Sequence, residues 1–439
     1  MVRQDNEGGG DPARGAAVHL LDKVLIEGRM MSAALEAQDG PLAALDGAGR
    51  ARAQRLCSAT LRHVARADAV LAPHLRKPPP AHVRNILRLA VVEMLQEGAP
   101  AHGAVNAAVS LTRSGPRGTA LAGLVNAVLR KVAAADPARE WAEMPPQRLP
   151  GWLRKRLVAD WGRGVVPAIE AAHMVPSPLD LTVRADADGW AQRLDATLLP
   201  TGSLRLRPET AVSALPGYDD GAWWVQDAAA ALPARLLAPG PGAQVLDLCA
   251  APGGKTLQLA ATGAEVTALD MSPPRMRRLR ANLARTRLRA ETVVADALEW
   301  QPARLFDAVL LDAPCSATGT IRRHPDLPFV RGPEDLEKLT RLQAALIARA
   351  AQFLRPGGRL VYCTCSLLRQ EGEGQIRTLL AGDLPLRVDP QPFALPGVEA
   401  AWHTREGGLR LRPDYWNERG GMDGFYMIRL VKVGAGGCA

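Results

Sequence analysis

Apolar residues recur at three- and four-residue steps through the first part of the chain. The spacing is clear in Val18, Leu21, Val24 and Leu25, and again between Val83 and Leu95. It places apolar side chains on one face of a helix, and strand signals are absent from this region. We therefore predict an all-α first domain over residues 1–140.

The pattern changes beyond that domain. A proline-rich polar linker is followed by a short basic helix at Trp152–Trp161, and alternating stretches at Leu179–Arg184 and Ser203–Arg207 flank a helical stretch at Gly189–Leu199. This mixture predicts linker helices and a small α+β insert over residues 141–240.

From Gly242 onward, short apolar runs alternate with helical segments. The predicted strands are Gln244–Cys249, Glu265–Asp270, Glu291–Asp296, Phe306–Asp312, Arg359–Cys365 and Gly424–Lys432. Strands that alternate with helices are typical of a parallel sheet covered on both faces. We predict an α/β third domain over residues 241–433.

The composition of the chain bears on its binding partner and its cellular compartment. The formal charge of +9 comes mainly from arginine, which suits phosphate recognition, although genomic base composition explains an arginine-rich chain equally well. The spacing of the six cysteines does not suggest a disulfide framework. Residues 1–12 do not resemble a secretory signal, and no apolar run has membrane-spanning length. These features predict a cytoplasmic chain without a membrane partner.

A turn rich in small residues follows the first predicted strand of the third domain. It contains Cys249, Ala250, Ala251, Pro252, Gly253, Gly254 and Lys255. Glycine lets the backbone turn tightly near a ligand, and the following helix offers unpaired N–H groups. The turn matches only the last residues of the phosphate-binding loop motif. We therefore predict that these seven residues bind a cofactor that carries no pyrophosphate.

Aspartates end three successive strands of this domain. They are Asp270, Asp296 and Asp312. A carboxylate after the second strand can accept both ribose hydroxyls of a nucleoside, and Asp296 is placed to bind the exocyclic amine of the base. Together with the turn, they predict an adenosine cofactor.

Two cysteines also lie where apolar runs end. Cys315 follows Asp312-Ala313-Pro314, and Cys365 stands in Thr364-Cys365-Ser366. Open α/β sheets carry their reacting groups at such strand ends. Cys363 points the same way as Cys365 and is interpreted as packing, since Cys-x-Cys without a partner pair is a poor zinc site. We expect no metal.

These motifs, in this order, resemble the RNA cytosine-5 methyltransferases of the Nop/Sun family. The resemblance rests on Asp247–Thr256, Asp312–Gly319 and Thr364–Ser366. It implies a class I, Rossmann-like methyltransferase domain that uses S-adenosyl-L-methionine. The helical front end looks like the NusB-type RNA-binding fold, and the combination is similar to bacterial family members that modify small-subunit rRNA.

The resemblance also implies the catalytic roles. Cys365 is the family's nucleophile and Cys315 assists release. C5 of cytosine is too weak a nucleophile to take a methyl group directly, so a thiolate must first add at C6, and a carboxyl group such as Asp312 near N3 makes that addition easier. DNA cytosine methyltransferases attack with the Pro-Cys thiol instead, so sequence position alone leaves the two roles open.

RNA is the partner that this chemistry requires. The target cytosine must be single-stranded, bulged or flipped, because a duplex hides C5 and C6. We expect Arg322, Arg323 and His324 to grip phosphates at the pocket rim, and we expect a monomer. A tRNA substrate, a non-catalytic NusB-like RNA-binding factor and a nicotinamide-dependent dehydrogenase remain alternatives.

Overall fold

The computed structural model describes residues 11–37, 39–115, 118–135, 137–207, 211–391 and 395–434. The glycine-rich start at residues 1–10 lies outside them. The chain divides into two compact units. The helical unit comprises residues 1–155, 163–174 and 323–331, and the sheet unit comprises residues 156–162, 175–322 and 332–439.

The helical unit confirms the predicted all-α front end. Its helices in the described residues are α1 (Pro12–Leu25), α2 (Met31–Ala37), α3 (Gly47–Arg62), α4 (Val64–Leu71), α5 (Ala81–Leu95), α6 (Ala101–Ser114), α7 (Gly118–Ala134), α8 (Ala138–Glu143), the start of α9 (Gly151–Trp161), α10 (Val166–Met174) and α15 (Leu327–Val330). The residues at helical spacing, such as Leu21 and Val91, are buried in one core. The burial of that apolar face explains why the helices form.

A small α+β element begins the sheet unit. It contains β1 (Leu179–Val183), α11 (Ala187–Arg193), β2 (Thr197–Leu198), β3 (Leu204–Leu206) and β4 (Trp223–Val225), in the antiparallel order β2-β3-β1-β4. The predicted helix at Gly189–Leu199 ends earlier, since Thr197 and Leu198 pair with β3. The strand β4 was not predicted.

An eight-stranded mixed sheet forms the rest of this unit. Its strands are β5 (Gln244–Leu248), β6 (Glu265–Asp270), β7 (Glu291–Val294), β8 (Phe306–Asp312), β9 (Leu354–Thr364), β10 (Leu386–Val388), β11 (Leu409–Leu411) and β12 (Phe425–Lys432). Their order is β10-β12-β9-β8-β5-β6-β7, with β11 paired to β12. Strands β5 to β9 pair in parallel and β12 runs antiparallel to β9.

Helices cover both faces of this sheet. They are α12 (Leu232–Leu237), α13 (Gly254–Ala261), α14 (Pro273–Thr286), α16 (Pro333–Phe353) and α17 (Glu373–Leu380). Buried side chains of α12 and α13 pack on one face, and those of α16 and α17 pack on the other. The chain runs from β5 outward to β6 and β7 and then returns to β8 on the other side of β5. This change of direction is where open α/β sheets bind ligands.

Candidate active site

The parallel strands bring most of the predicted site residues to one edge of the sheet. In register, Leu248 lies beside Leu269 and Leu311, and Asp312 lies beside Cys363. The carboxyl ends of β5, β6, β8 and β9 therefore meet at the same edge. The cofactor turn, Asp270, Asp312 and the two thiols emerge from these ends.

The turn after β5 is held by Asp270. The Ala251 N–H donates to Oδ2 of Asp270 over 3.1 Å, and the Ser272 N–H donates to Oδ1 over 2.9 Å. Gly253 adopts a φ of +109°, and a Cβ there would lie 2.9 Å from Cγ of Leu279. Only glycine fits that position without strain. Nη1 of Arg275 also lies 3.4 Å from Oδ2. A carboxylate has about four lone-pair sites, so Asp270 keeps acceptor capacity for about one further donor.

Asp247 on β5 and Thr256 on α13 form a hydrogen bond across the turn. The sequence analysis assigned no role to this pair. Asp247 is fully buried on β5, and its Oδ2 accepts a 2.6 Å hydrogen bond from the Thr256 hydroxyl. Burial raises the pKa of Asp247 from its ordinary 3.8 to about 7. This carboxyl group therefore fixes the start of α13 and titrates near neutral pH.

Lys255 forms an ion pair with Asp312. Its Nζ lies 2.8 Å from Oδ2 of Asp312, and the two side chains are 11% and 32% exposed. The same ammonium lies 5.2 Å from the centroid of the Phe425 ring. Burial by itself would lower the pKa of Lys255, but the adjacent Asp312 raises it above its usual value. Lys255 therefore stays charged, and the ion pair fixes the orientation of the Asp312 carboxylate.

The two thiols lie next to each other. Sγ of Cys315 is 3.5 Å from Sγ of Cys365, and both residues are partly buried. The hydrogen bond to Cys365, together with burial, raises the pKa of the Cys315 thiol well above its usual value. Cys315 therefore keeps its proton, and its S–H group can donate a hydrogen bond to the sulfur of Cys365. Cys363 is fully buried, and its Sγ lies 3.5 Å from Oδ1 of Asp312.

Backbone hydrogen bonds connect the two thiol-bearing segments. The Ala313 N–H donates to the Cys363 carbonyl over 3.0 Å, and the Gly319 N–H donates to the Cys365 carbonyl over 2.9 Å. Buried side chains complete the connection through Glu371, Ser316 and Ser366. Sequence reasoning missed these three residues, because polar residues after a strand most often face solvent.

The remaining predicted residues are placed differently. Asp296 is exposed, two residues beyond β7, and its Oδ1 accepts from the Leu298 N–H over 2.9 Å. The rim position expected for Arg322 is wrong, because its side chain is 2% exposed and donates to the carbonyls of Gly420 (2.7 Å) and Pro176 (3.3 Å). Arg323 and His324 belong to the helical unit, and their contact with phosphate stays a prediction.

The donor set at this edge suits a nucleoside that carries no phosphate. It consists of carboxylates, a small-residue turn and a helix N-terminus, and carboxylates repel pyrophosphate. Within the described residues, no cluster of three or more His, Cys, Asp or Glu side chains is arranged to hold a metal ion. None of the described helices combines the length and apolarity that a membrane span requires. The fold and the edge together define a Rossmann-like methyltransferase joined to a helical domain.

Comparison with known proteins agrees with this class. The sequence model of the 16S rRNA methyltransferase RsmB/F family matches residues 234–431, and that of the NusB family matches residues 11–134. Ribosomal RNA small subunit methyltransferase B of Xanthomonas campestris pv. campestris is 36% identical over 99% of this chain and 100% of its own length. The protein of the same name from Vibrio vulnificus is 34% identical over 95% of this chain and 99% of its own length. The chain belongs to the RsmB/F family of 16S rRNA methyltransferases.

Solved structures share the fold. The crystal structure of PH0851 superposes with a TM-score of 0.75 at 22% identity, covering 97% of this chain and 99% of that one. NSun6 from Pyrococcus horikoshii gives a TM-score of 0.57 at 20% identity, covering 65% of this chain and 98% of that one. The predicted NusB-like front end and Rossmann-like methyltransferase domain are confirmed.

Proposed function

We propose that this protein transfers a methyl group from S-adenosyl-L-methionine to C5 of a cytosine in 16S rRNA, in the cytoplasm, through a covalent bond between Cys365 and C6. The observation that carries the proposal is the pair of thiols 3.5 Å apart beside the Lys255–Asp312 ion pair. A methyltransferase that modifies an already nucleophilic atom has no need of two thiols at its reacting edge.

The cofactor would be held by the turn from Cys249 to Lys255 and by Asp270 and Asp296, and it supplies an electrophilic methyl group. The buried carboxylate of Asp270 is aligned by the turn itself, so a ribose would bind to a preformed acceptor. Asp296 is exposed and available to the exocyclic amine of the base.

In the first step, the Cys365 thiolate forms a bond to C6 of cytosine, the C5=C6 electrons form a C4=C5 double bond, and the C4=N3 electrons move to N3, which takes up a proton from solvent and gives it back when the adduct breaks down. Asp312 lies near N3 in this proposal, where its carboxylate accepts a hydrogen bond from the N3–H group of the adduct, and the Lys255 ammonium, 2.8 Å away, orients that carboxylate. C5 becomes an enamine carbon that can accept a methyl group.

In the last step, the proton on C5 leaves to a water beside Cys315, the S–C6 bond breaks and the ring becomes aromatic again. Cys365 departs as a thiolate, which the S–H group of Cys315 stabilises by a hydrogen bond. The raised pKa of Cys315 supports this division, because a thiol that keeps its proton can donate to the departing sulfur.

The test uses labelled S-adenosyl-L-methionine with unmodified 16S rRNA and, in parallel, unmodified tRNA. We expect 5-methylcytidine in the nuclease digest of the rRNA. Cys365→Ala should abolish transfer, Cys315→Ala should accumulate an RNA–protein adduct that resists denaturant, and Cys57→Ala, a buried thiol of the helical unit, should behave as the parent.

Three results would contradict parts of this proposal. An adduct in Cys365→Ala but none in Cys315→Ala would reverse the two roles. Label in tRNA alone would replace the substrate. Label in a nucleoside other than 5-methylcytidine would refute the chemistry.

A further inference from the structure

A fully buried carboxylate lies behind the two thiols, and the reaction proposed above assigns it no task. Glu371 is 0% exposed, in the turn that follows β9. Its Oε1 accepts from the Ser316 N–H (2.8 Å) and the Gln343 side chain (2.9 Å). Its Oε2 accepts from the hydroxyls of Ser316 and Ser366, each over 2.5 Å. Bonds to an ionised carboxylate are the strong class of protein hydrogen bonds.

These bonds tie together the two segments that carry the thiols. Ser316 directly follows Cys315, and Ser366 directly follows Cys365. The hydroxyl of Thr318 lies 3.2 Å from that of Ser316 and 3.3 Å from that of Ser366, and it accepts from the Leu367 N–H over 2.9 Å. One carboxylate therefore sets the distance between the loop after β8 and the end of β9.

The charge of Glu371 also acts on the Cys315 thiol. Within the described residues, Glu371 is offset by hydrogen-bond donors and is in no ion pair with a lysine or arginine. After the hydrogen bond to Cys365 and burial, the negative charge of Glu371 is a further cause that raises the pKa of Cys315. A protonated Cys315 can donate to Cys365.

The groups that face Cys315 come from three elements. Cys365 and Tyr362 lie on β9 or at its end, and Glu371 lies in the turn after it. Helix α16 contributes the uncharged Gln343, which donates to the Pro314 carbonyl over 2.9 Å. Glu371 is the carboxylate in this set, so replacing it removes the negative charge that faces Cys315.

We propose that Glu371 is a positioning residue that holds Cys315 and Cys365 at hydrogen-bonding distance, so that the Cys315 S–H group donates to the Cys365 sulfur. The inference rests on the proposed function, since it explains how two thiols share one reaction. Glu371 touches neither the base nor the cofactor in this account.

The test separates charge from geometry with two variants. Glu371→Gln keeps the length of the side chain and removes the charge, whereas Glu371→Asp keeps the charge and shortens the reach. Asp389→Asn is the matched control, because Asp389 is a buried carboxylate of the same unit, paired with Arg429 over 2.8 Å. Each protein is alkylated with iodoacetamide over a range of pH, and every cysteine peptide is followed by mass spectrometry.

In Glu371→Gln, we expect the alkylation profile of Cys315 to move to lower pH, while Glu371→Asp and Asp389→Asn keep the parental profile. Both Glu371 variants should lose activity by about 10²-fold in kcat with little change in KM for RNA, as expected when reacting groups are displaced by about 1 Å. Asp389→Asn should keep the parental kcat.

An unchanged Cys315 profile and kcat in Glu371→Gln would overturn the proposal. So would an equal shift in Glu371→Asp, which would show that loosening of the loop is the cause. If Glu371→Gln does not fold, Ser316→Ala and Ser366→Ala each remove one bond to the carboxylate and should lower kcat, and a parental kcat in both would overturn it. The alkylation assay needs neither RNA nor cofactor, so a parent that makes no 5-methylcytidine refutes the proposed function without affecting this measurement.

Discussion

A single methyl group added at Gly319 tests whether the Pro-Cys loop positions the reacting thiols. The Gly319 N–H donates to the Cys365 carbonyl over 2.9 Å, and its own carbonyl accepts from the Gly424 N–H over 2.8 Å. A Cβ at Gly319 would lie 2.0 Å from the Gly424 carbonyl oxygen and 2.6 Å from its carbon. Backbone atoms cannot rotate out of the way as a flexible side chain can.

The size of the effect follows from these distances. Cβ contacts shorter than 3.0 Å are essentially absent from real proteins, so Gly319→Ala must separate the loop from the start of β12 by 3.0 − 2.0 = 1.0 Å or more. A displacement of about 1 Å near reacting groups costs about 10²-fold in rate, which is about 2.7 kcal/mol in the activation free energy. Overpacking of this kind also lowers the free energy of unfolding by about 1–3 kcal/mol.

Single-turnover methyl transfer and urea unfolding measure the two effects. Gly240→Ala is the control, because a Cβ at Gly240 meets no atom within 4 Å and its φ is not in the positive range. It should keep the parental rate and gain up to about 1 kcal/mol of stability by restricting the unfolded chain. A parental rate in Gly319→Ala, or a loss that appears only in KM for RNA, would refute the view that this loop sets the position of the thiols.

Two further predictions concern charge. Lys255→Gln leaves Asp312 without the ammonium 2.8 Å away, and the attraction at that distance is about 6 kcal/mol at an effective dielectric constant of 20. Desolvation offsets most of it, so we expect a loss of about 1–3 kcal/mol in urea unfolding, and an unchanged midpoint would contradict the pairing. Burial raises the pKa of Asp247 to about 7, so the native state holds a proton that the unfolded chain has lost between pH of about 4 and about 7. As the pH rises through that window, the free energy of unfolding of the parent should therefore fall by up to about 4 kcal/mol relative to that of Asp247→Asn, and it should level off above the window. If the curves of unfolding free energy against pH are parallel for the two proteins, Asp247 does not titrate in this way.

The central strands of the large sheet could be predicted from sequence because they are buried and strongly apolar, whereas the short strands β10 and β11 were not predicted. The limits of β6 and β8 were exact, since an aspartate ends each apolar run. Strand β9 begins five residues before the predicted Arg359, where Arg355-Pro356-Gly357-Gly358 shows no strand pattern and the pairing with β8 shifts register. The pairing of Leu354 with Phe306 is a tertiary effect that no local pattern records.

The meeting of the thiols was also predictable in outline. Neighbouring parallel strands end at the same edge, so a thiol after β8 and a thiol after β9 must approach each other. The role of Arg322 was not predictable, because a motif rich in positive charge does not reveal that the guanidinium is used on the Gly420 and Pro176 carbonyls. The role of Glu371 was not predictable either, because its hydrogen-bond partner Ser316 is 55 residues away in the sequence.

Two identical side chains acquire different chemistry here through their surroundings. Sγ of Cys315 and Sγ of Cys365 are within hydrogen-bonding distance, so the protonated Cys315 can support Cys365 as the attacking sulfur. The hydrogen bond to Cys365, burial and the negative charge of Glu371 together raise the pKa of Cys315 and make loss of its proton costly. The proposed order, attack by Cys365 and release assisted by Cys315, thus rests on the surroundings of the two thiols, to which the buried Glu371 is one contributor.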